Sequence, residues 1–277
     1  MAVTPKIVAR IESEEPALKL AVLIDADNAQ AAIIAGLLAE IATFGEATVK
    51  RIYGDFTSPT SAQWKKVLHT HAIKPIQQFA YTTGKNATDS TLIIDAMDLL
   101  YTRRFDGFCL VSSDSDFTGL ALRIREEGLM VLGFGEQKTP ESFRNACHKF
   151  VFTEVLRPVT PQKSSAIPPG APTLHSVQAA LQPVGAPVSQ QKAPVAVVPK
   201  DFILDALENT QYDDAGWVNL GSFGSYLTKV KPDFDPRLYG FKKLSDLVKI
   251  MVDELELEER QNAGSSKALY IRRRVGL

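Results

Sequence analysis

Acidic side chains follow two apolar segments of the sequence, at the point where each segment ends. Asp25 comes directly after the apolar residues 20–24, and Asp114 and Asp116 follow the apolar residues 108–111 after two serines. Uninterrupted apolar runs of this length predict strands that are buried on both faces, as at the centre of a parallel α/β sheet. Open sheets of this kind bind ligands beyond the carboxyl ends of their strands. We therefore expect these carboxylates to meet at one edge of a sheet.

Asp89 opens a predicted helix and adds a fourth acid to this set. Clustered carboxylates oppose one another's ionisation unless protons or cations neutralise them. Mg²⁺ and Mn²⁺ prefer carboxylate and water oxygens, and such ions can activate water and stabilise the leaving oxygen of a phosphodiester. The pattern predicts metal-assisted hydrolysis of a nucleic acid, with Asp25 and Asp114 as central ligands. Asp89 and Asp116 would bind the metal directly or through water.

Neutral side chains beside these acids could bind substrate. We expect Asn28 to orient a ligand or to contact a phosphate, and Thr88, Ser112 and Ser113 are candidate hydrogen-bond donors near the scissile bond. A single Asp after a strand is commonly only a helix N-cap, worth about 1 kcal/mol. Capping could explain any one of these acids, but it explains poorly why four of them converge.

The segments between residues 18 and 156 alternate between strand and helix patterns. This alternation with right-handed crossovers predicts an α/β fold, a doubly wound and mostly parallel sheet with helices on both faces. The predicted strands are 20–24, 48–53, 75–79, 108–111 and 130–134, and the predicted helices are 29–44, 61–71, one opened by Asp89, and 116–127.

Composition limits the class of protein. The chain has 277 residues, of which 45% are hydrophobic, and this is enough for two domains. Its net charge of −1 excludes a strong overall positive field. The sequence has two cysteines, too few for a disulfide framework, and we find no signal-peptide pattern or membrane-spanning apolar run. We expect a cytoplasmic protein without membrane contact.

A proline-rich segment divides the chain. Residues 157–198 contain no acidic residue, and such a composition is typical of a semi-extended linker. The predicted organisation is a flexible leader at 1–17, a first domain at 18–156, the linker, and a second domain at 199–277. Three short helical patterns and then a hairpin predict that the second domain is a winged helix.

Four motifs in the first domain carry a family resemblance. They are Leu-Ile-Asp-Ala-Asp-Asn ending at Asn28, Lys-Asn-Ala-Thr-Asp ending at Asp89, Val-Ser-Ser-Asp-Ser-Asp-Phe at 111–117, and Arg-Ile-Arg-Glu-Glu-Gly at 123–128. In this order they resemble the NYN domain, in the LabA-like branch of the PIN-like nucleases. The resemblance implies a PIN-like fold and a Mg²⁺- or Mn²⁺-dependent ribonuclease site, with the family's acids on Asp25, Asp89, Asp114 and Asp116 and its Asn on Asn28. Residues 86–88 depart from the Gly-Val pair that often precedes the acid, and this affects the expected loop shape.

The second domain is similar to another family. Residues 216–221 and 234–247 resemble the OST-HTH or LOTUS domain, which implies a winged helix that binds RNA or protein partners. From Lys200 onward the chain has 12 basic and 13 acidic residues, so this domain is not basic overall. A local phosphate-binding patch would consist of Lys242, Lys243, Lys267, Arg272, Arg273 and Arg274.

Three functions remain open from the sequence. The first is a metal-dependent ribonuclease to which the second domain recruits RNA. The second is a non-catalytic RNA-binding or regulatory scaffold. The third is a phosphohydrolase of the haloacid-dehalogenase type, with Asp25 as nucleophile and Asp27 as acid/base, although Asn28 directly after Asp27 fits this pattern poorly. Family analogy also allows a homodimer.

Overall fold

The structure is a computed structural model that describes residues 17–57, 62–79, 87–157, 196–261 and 267–274. The predicted leader and linker lie almost entirely outside the described residues. The first domain contains six strands, β1 Lys19–Asp25, β2 Glu46–Gly54, β3 Lys74–Gln77, β4 Gly107–Val111, β5 Met130–Gly135 and β6 Lys149–Phe152. Its helices are α1 Ile34–Ile41, α2 Ala62–His71, α3 Ala87–Tyr101, α4 Thr118–Glu126 and α5 Glu141–Ala146.

The six strands form one sheet in the order β3-β2-β1-β4-β5-β6. Each neighbouring pair is parallel, which confirms the doubly wound sheet and makes it more uniform than the mostly parallel sheet that we expected. The strand order reverses between β1 and β4. This reversal leaves a crevice at the carboxyl ends of the two strands, where open α/β sheets bind ligands.

The central position of β1 in the sheet explains why its sequence is apolar without interruption. Ala21 and Leu23 point into the hydrophobic core on one face of the sheet, and Leu20, Val22 and Ile24 point into the core on the other. All five side chains are fully buried. Because successive residues of a strand face opposite sides, a central strand covered by helices on both faces needs an apolar residue at every position.

The structure adds two elements that we did not predict. Helix α5 has six residues and strand β6 has four, so neither is long enough to show a clear period. The predicted helix 29–44 is also shorter in the structure, since a turn and the 3-10 segment Ala31–Ile33 precede α1. With β6 at its edge, the sheet has six strands instead of the five that we predicted.

The second domain consists of helices and a small antiparallel sheet. Its elements are α6 Lys200–Glu208, β7 Val218–Asn219, α7 Leu220–Val230, α8 Leu244–Lys249, β8 Leu255–Arg260 and β9 Ala268–Arg273, with the strands in the order β7-β9-β8. This arrangement agrees with the predicted three helices and hairpin. The predicted helix 241–251 is shorter in the structure, because Gly240 at φ +85° ends the preceding 3-10 segment Pro236–Tyr239 and separates it from α8.

Candidate metal centre

The Asp25 carboxylate is anchored at the carboxyl end of β1. Its Oδ2 accepts hydrogen bonds from Asn28 Nδ2 at 2.7 Å and from Ser112 Oγ at 2.8 Å, and its Oδ1 accepts one from Asp27 N at 2.9 Å. The residue is fully buried. A buried charged group needs such partners because desolvation is otherwise costly. Asn28 therefore holds Asp25, a contact that the sequence analysis did not specify.

Asp114 lies directly beyond β4 and shapes the turn that follows. Its Oδ1 accepts a hydrogen bond from Asp116 N at 3.0 Å, which caps the 3-10 segment Ser115–Phe117. Its own N donates to Ser112 Oγ at 3.1 Å. Ser112 thus contacts both Asp25 and Asp114, and the capping role that the sequence allowed for Asp116 belongs to Asp114.

Three of the predicted acids form a group that could hold a metal ion. Asp89 lies in the first turn of α3. One carboxylate oxygen from each of Asp89, Asp114 and Asp116 lies within 4.8 Å of the other two. Asp25 is not part of this group. The structure thus brings together the ends of β4 and the start of α3, which are distant in sequence.

The electrostatics of the site fit a cation. Burial, and after it the charges of Asp25, Asp114, Asp116 and Asp27, together raise the pKa of Asp89 to about 6. Burial and then the charge of Asp25 also raise the pKa of Asp27, while a hydrogen bond with the Thr88 side chain opposes this shift. Hard oxygen donors under this mutual repulsion are a suitable ligand set for Mg²⁺ or Mn²⁺.

Two further observations concern the neighbouring polar residues. Ser113 Oγ accepts a hydrogen bond from Glu136 N at 2.8 Å, so it stabilises the chain after β5.

Asp55, which directly follows β2, is an acid that the sequence analysis missed. Its Oδ1 accepts hydrogen bonds from Gln77 Nε2 at 2.8 Å and from Thr57 Oγ1 at 2.6 Å. Its charge contributes to the raised pKa of Asp27. The signal was the same as for Asp25, an acid placed directly after a strand.

Four of the six residues of the predicted RNA-binding patch pair with glutamates of their own domain. Arg272 and Arg274 both lie within ion-pair distance of Glu256, Arg273 pairs with Glu208, and Lys267 pairs with Glu259 at 3.2 Å. Lys242 and Lys243 directly precede α8 in the chain. A phosphate at the hairpin would therefore compete with glutamates for these cations.

An aromatic residue that we did not predict as functional lies beside this hairpin. Two guanidinium groups lie over the Trp217 ring, with Arg260 Cζ at 5.1 Å and Arg272 Cζ at 4.6 Å from the ring centroid. Arg260 also lies over the Tyr270 ring at 4.5 Å. Cation–π contacts of this kind order the arginine side chains on the sheet surface.

A parallel α/β sheet with acids at the reversal of its strand order is consistent with a PIN-like fold. The sequence matches the model of the NYN domain over residues 19–156 and that of the OST-HTH/LOTUS domain over residues 198–266. The chain therefore contains an NYN domain followed by an OST-HTH/LOTUS domain. Among the described residues, no helix is both long and apolar enough to cross a membrane.

Two solved structures are similar to parts of the chain. An uncharacterized protein from Nitrosomonas europaea, solved by NMR in solution, is 50% identical over 35% of this chain and 91% of its own length, with a TM-score of 0.28. A protein of unknown function from Vibrio parahaemolyticus is 20% identical over 50% of this chain and 94% of its own length, with a TM-score of 0.42. No match was found among curated proteins. The family assignment rests on the two domain matches.

Proposed function

We propose that the protein is a metal-dependent ribonuclease that hydrolyses RNA phosphodiesters at its acidic cluster, with the second domain recruiting RNA. One observation carries this proposal. Asp89, Asp114 and Asp116 place carboxylate oxygens within 4.8 Å of one another. They do so beside a sheet whose NYN family has a nuclease-like fold, and the OST-HTH/LOTUS domain suggests RNA as the bound polymer.

Mg²⁺ or Mn²⁺ would be held by Asp89, Asp114 and Asp116, with Asp25 as the fourth acid of the centre. A cation bound there would activate a water and stabilise the leaving oxygen of the phosphodiester. Asp25 adds negative charge beside the three acids, as its effect on the pKa of Asp89 indicates. The raised pKa of Asp89 means that this carboxyl takes up a proton at a higher pH than an ordinary Asp does.

The other residues of the site position these acids. Ser112 and Asn28 hold the Asp25 carboxylate in one orientation through its Oδ2. Polar groups that orient the acids of a metal site usually contribute 10- to 100-fold to affinity or activity. In the second domain, we propose that RNA phosphates contact the basic patch defined above, in competition with its glutamates.

The same geometry disfavours a phosphohydrolase that uses Asp25 as a nucleophile. Such an enzyme needs a carboxylate oxygen that can reach the phosphorus atom. Asp25 is fully buried, and both of its oxygens accept hydrogen bonds. A non-catalytic RNA-binding scaffold remains the alternative, and an RNA cleavage assay distinguishes it from a nuclease.

The test is cleavage of single-stranded and structured RNA by the full chain with Mg²⁺, with Mn²⁺ and with EDTA. Asp89→Asn and Asp114→Asn should each reduce the cleavage rate by more than the roughly 10- to 100-fold that is usual when a residue supporting a metal ligand is lost. The matched control is Asp98→Asn, which removes an exposed acid from the same helix as Asp89 and should cleave normally. RNA binding without metal-dependent cleavage in the unchanged protein would reject the nuclease and support the scaffold.

A further inference from the structure

The second domain contacts the first along the free side of edge strand β6. Phe150 N, in β6, donates a hydrogen bond to Pro232 O at 2.9 Å, and Lys149 Nζ donates to Phe234 O at 3.0 Å. Leu238 of the second domain also packs against the hydrophobic core of the first. Strand β6 pairs only with β5 within the sheet, so these contacts cover an edge that would otherwise expose unpaired backbone groups.

Two ionic contacts join the domains at the same place. The Arg237 guanidinium donates to both carboxylate oxygens of Glu40, at 2.8 and 2.9 Å, and also to Asp235 within its own domain. Arg144 of α5 forms an ion pair with Asp233. Asp233 and Asp235 are only 7% and 4% exposed. Bidentate pairs are geometrically specific, and buried charges are costly without their partners, so this pattern favours one docked orientation.

The docking surface lies away from the acidic cluster. Glu40 is in the last turn of α1, which leads to the amino end of β2, and Lys149 begins β6. The acids lie instead beyond the carboxyl ends of β1 and β4. None of these contacts between described residues of the two domains involves Asp25, Asp89, Asp114 or Asp116.

We propose that the OST-HTH/LOTUS domain is docked on the free edge of β6 in solution, through the Arg237–Glu40 and Arg144–Asp233 pairs, and does not move freely on its linker. Linked domains usually move relative to each other unless a large and hydrophobic interface holds them, and here the packing of Leu238 and the two ion pairs would supply that restraint. Docking would present the RNA-binding surface and the acidic cluster in one fixed arrangement. That consequence for RNA rests on the proposed function, whereas the docking itself does not.

Pulsed electron paramagnetic resonance on the full chain tests the docking. Spin labels attached through Lys66→Cys in α2 and Asp253→Cys before β8 report on both domains at exposed positions, and the native Cys109 and Cys147 are buried. We expect one narrow distance distribution. Glu40→Arg should broaden it, because two arginines would then face each other, and Arg144→Glu should broaden it by opposing Asp233.

The control is Glu126→Arg, which makes the same charge change at an exposed position of α4 whose ion-pair partner is Arg123 of the same helix. It should keep the narrow distribution. An arginine near the carboxyl end of α1 suits the helix dipole, so Glu40→Arg should fold, and circular dichroism checks this.

Three results would overturn the docking proposal. They are a broad distribution in the unchanged chain, a narrow one that survives both interface variants, and a distance that vanishes on dilution with unlabelled protein, which would place the contact between two chains. Failure of RNA cleavage with a narrow distribution would reject the proposed function alone. Normal cleavage with a broad distribution would reject the docking alone.

Discussion

Ser112 Oγ donates a hydrogen bond to Asp25 Oδ2 over 2.8 Å and thereby ties the end of β4 to the end of β1. Ser112 Oγ also accepts a hydrogen bond from Asp114 N at 3.1 Å. One hydroxyl therefore sets the position of two acids that approach the site on different strands. Because the two strands flank the reversal of strand order, this contact lies at the centre of the proposed site.

Replacing Ser112 should impair catalysis. Ser112→Ala removes a donor from the buried Asp25 carboxylate, and we expect kcat/KM for RNA cleavage to fall about 10- to 100-fold. Ser113→Ala is the matched control, since Ser113 Oγ instead accepts from Glu136 N. Equal losses in the two variants, measured on protein whose circular dichroism is unchanged, would contradict a specific role for Ser112.

The raised pKa of Asp89 predicts a pH-dependent stability of the metal-free protein. The pKa is about 6 in the folded state against 3.8 for an ordinary Asp, so the folded state holds this proton more tightly. The contribution to stability is full below pH 3.8 and is lost as the pH rises through 6. In EDTA, Asp89→Asn should therefore melt at a higher temperature than the unchanged protein above pH 6, with the difference shrinking toward pH 4.

The melting temperature measured after addition of Mg²⁺ at pH 7.5 tests whether Asp89 helps to bind a cation. A cation that binds the folded state raises its melting temperature by mass action. The unchanged protein should gain stability and Asp89→Asn should gain less. A melting difference that does not vary between pH 4 and 7 would contradict the pKa shift of Asp89.

Tyr53 should stabilise the sheet through its hydroxyl. The Tyr53 hydroxyl donates to Asp95, which also pairs with Arg51, and burial raises the pKa of Tyr53. We expect Tyr53→Phe to lower the free energy of unfolding by about 1.5–3 kcal/mol, the usual net value of a hydrogen bond to a charged group. Urea unfolding followed by circular dichroism measures this. Tyr101→Phe, at a side chain that is 64% exposed, should change it less, and an equal loss would contradict the role.

Gly133 should tolerate no side chain. A Cβ atom there would lie 2.5 Å from Phe150 Cδ2 and 2.6 Å from Cys147 Sγ, inside the core against β6. Gly133→Ala should cost about 1–3 kcal/mol, as overpacking of a core usually does. Gly119→Ala is the contrasting control, because no atom of the described residues lies within 4 Å of a Cβ added there and alanine favours a helix by up to about 1 kcal/mol. Thermal melting of both variants checks the opposite signs, and a stable Gly133→Ala would contradict the packing.

The sequence by itself determined most of the first domain's order of elements. Apolar runs such as residues 20–24 and the acids that follow them are local signals, since a central strand must be apolar at every position and its ligands must follow its carboxyl end. Short elements such as α5 and β6 escaped prediction, because four to six residues do not define a period. The sharing of one Ser112 hydroxyl by Asp25 and Asp114 was also not visible in sequence.

Only the tertiary structure decided which acids meet. Asp89 is 25 residues from Asp114 in sequence, and their carboxylates come together because α3 starts at the edge where β4 ends. The packing of Glu40 against Arg237, almost 200 residues apart, likewise depends on where the chain folds back. Local sequence sets the residues that precede or follow a strand, whereas contacts between distant segments depend on how the sheet and the domains pack.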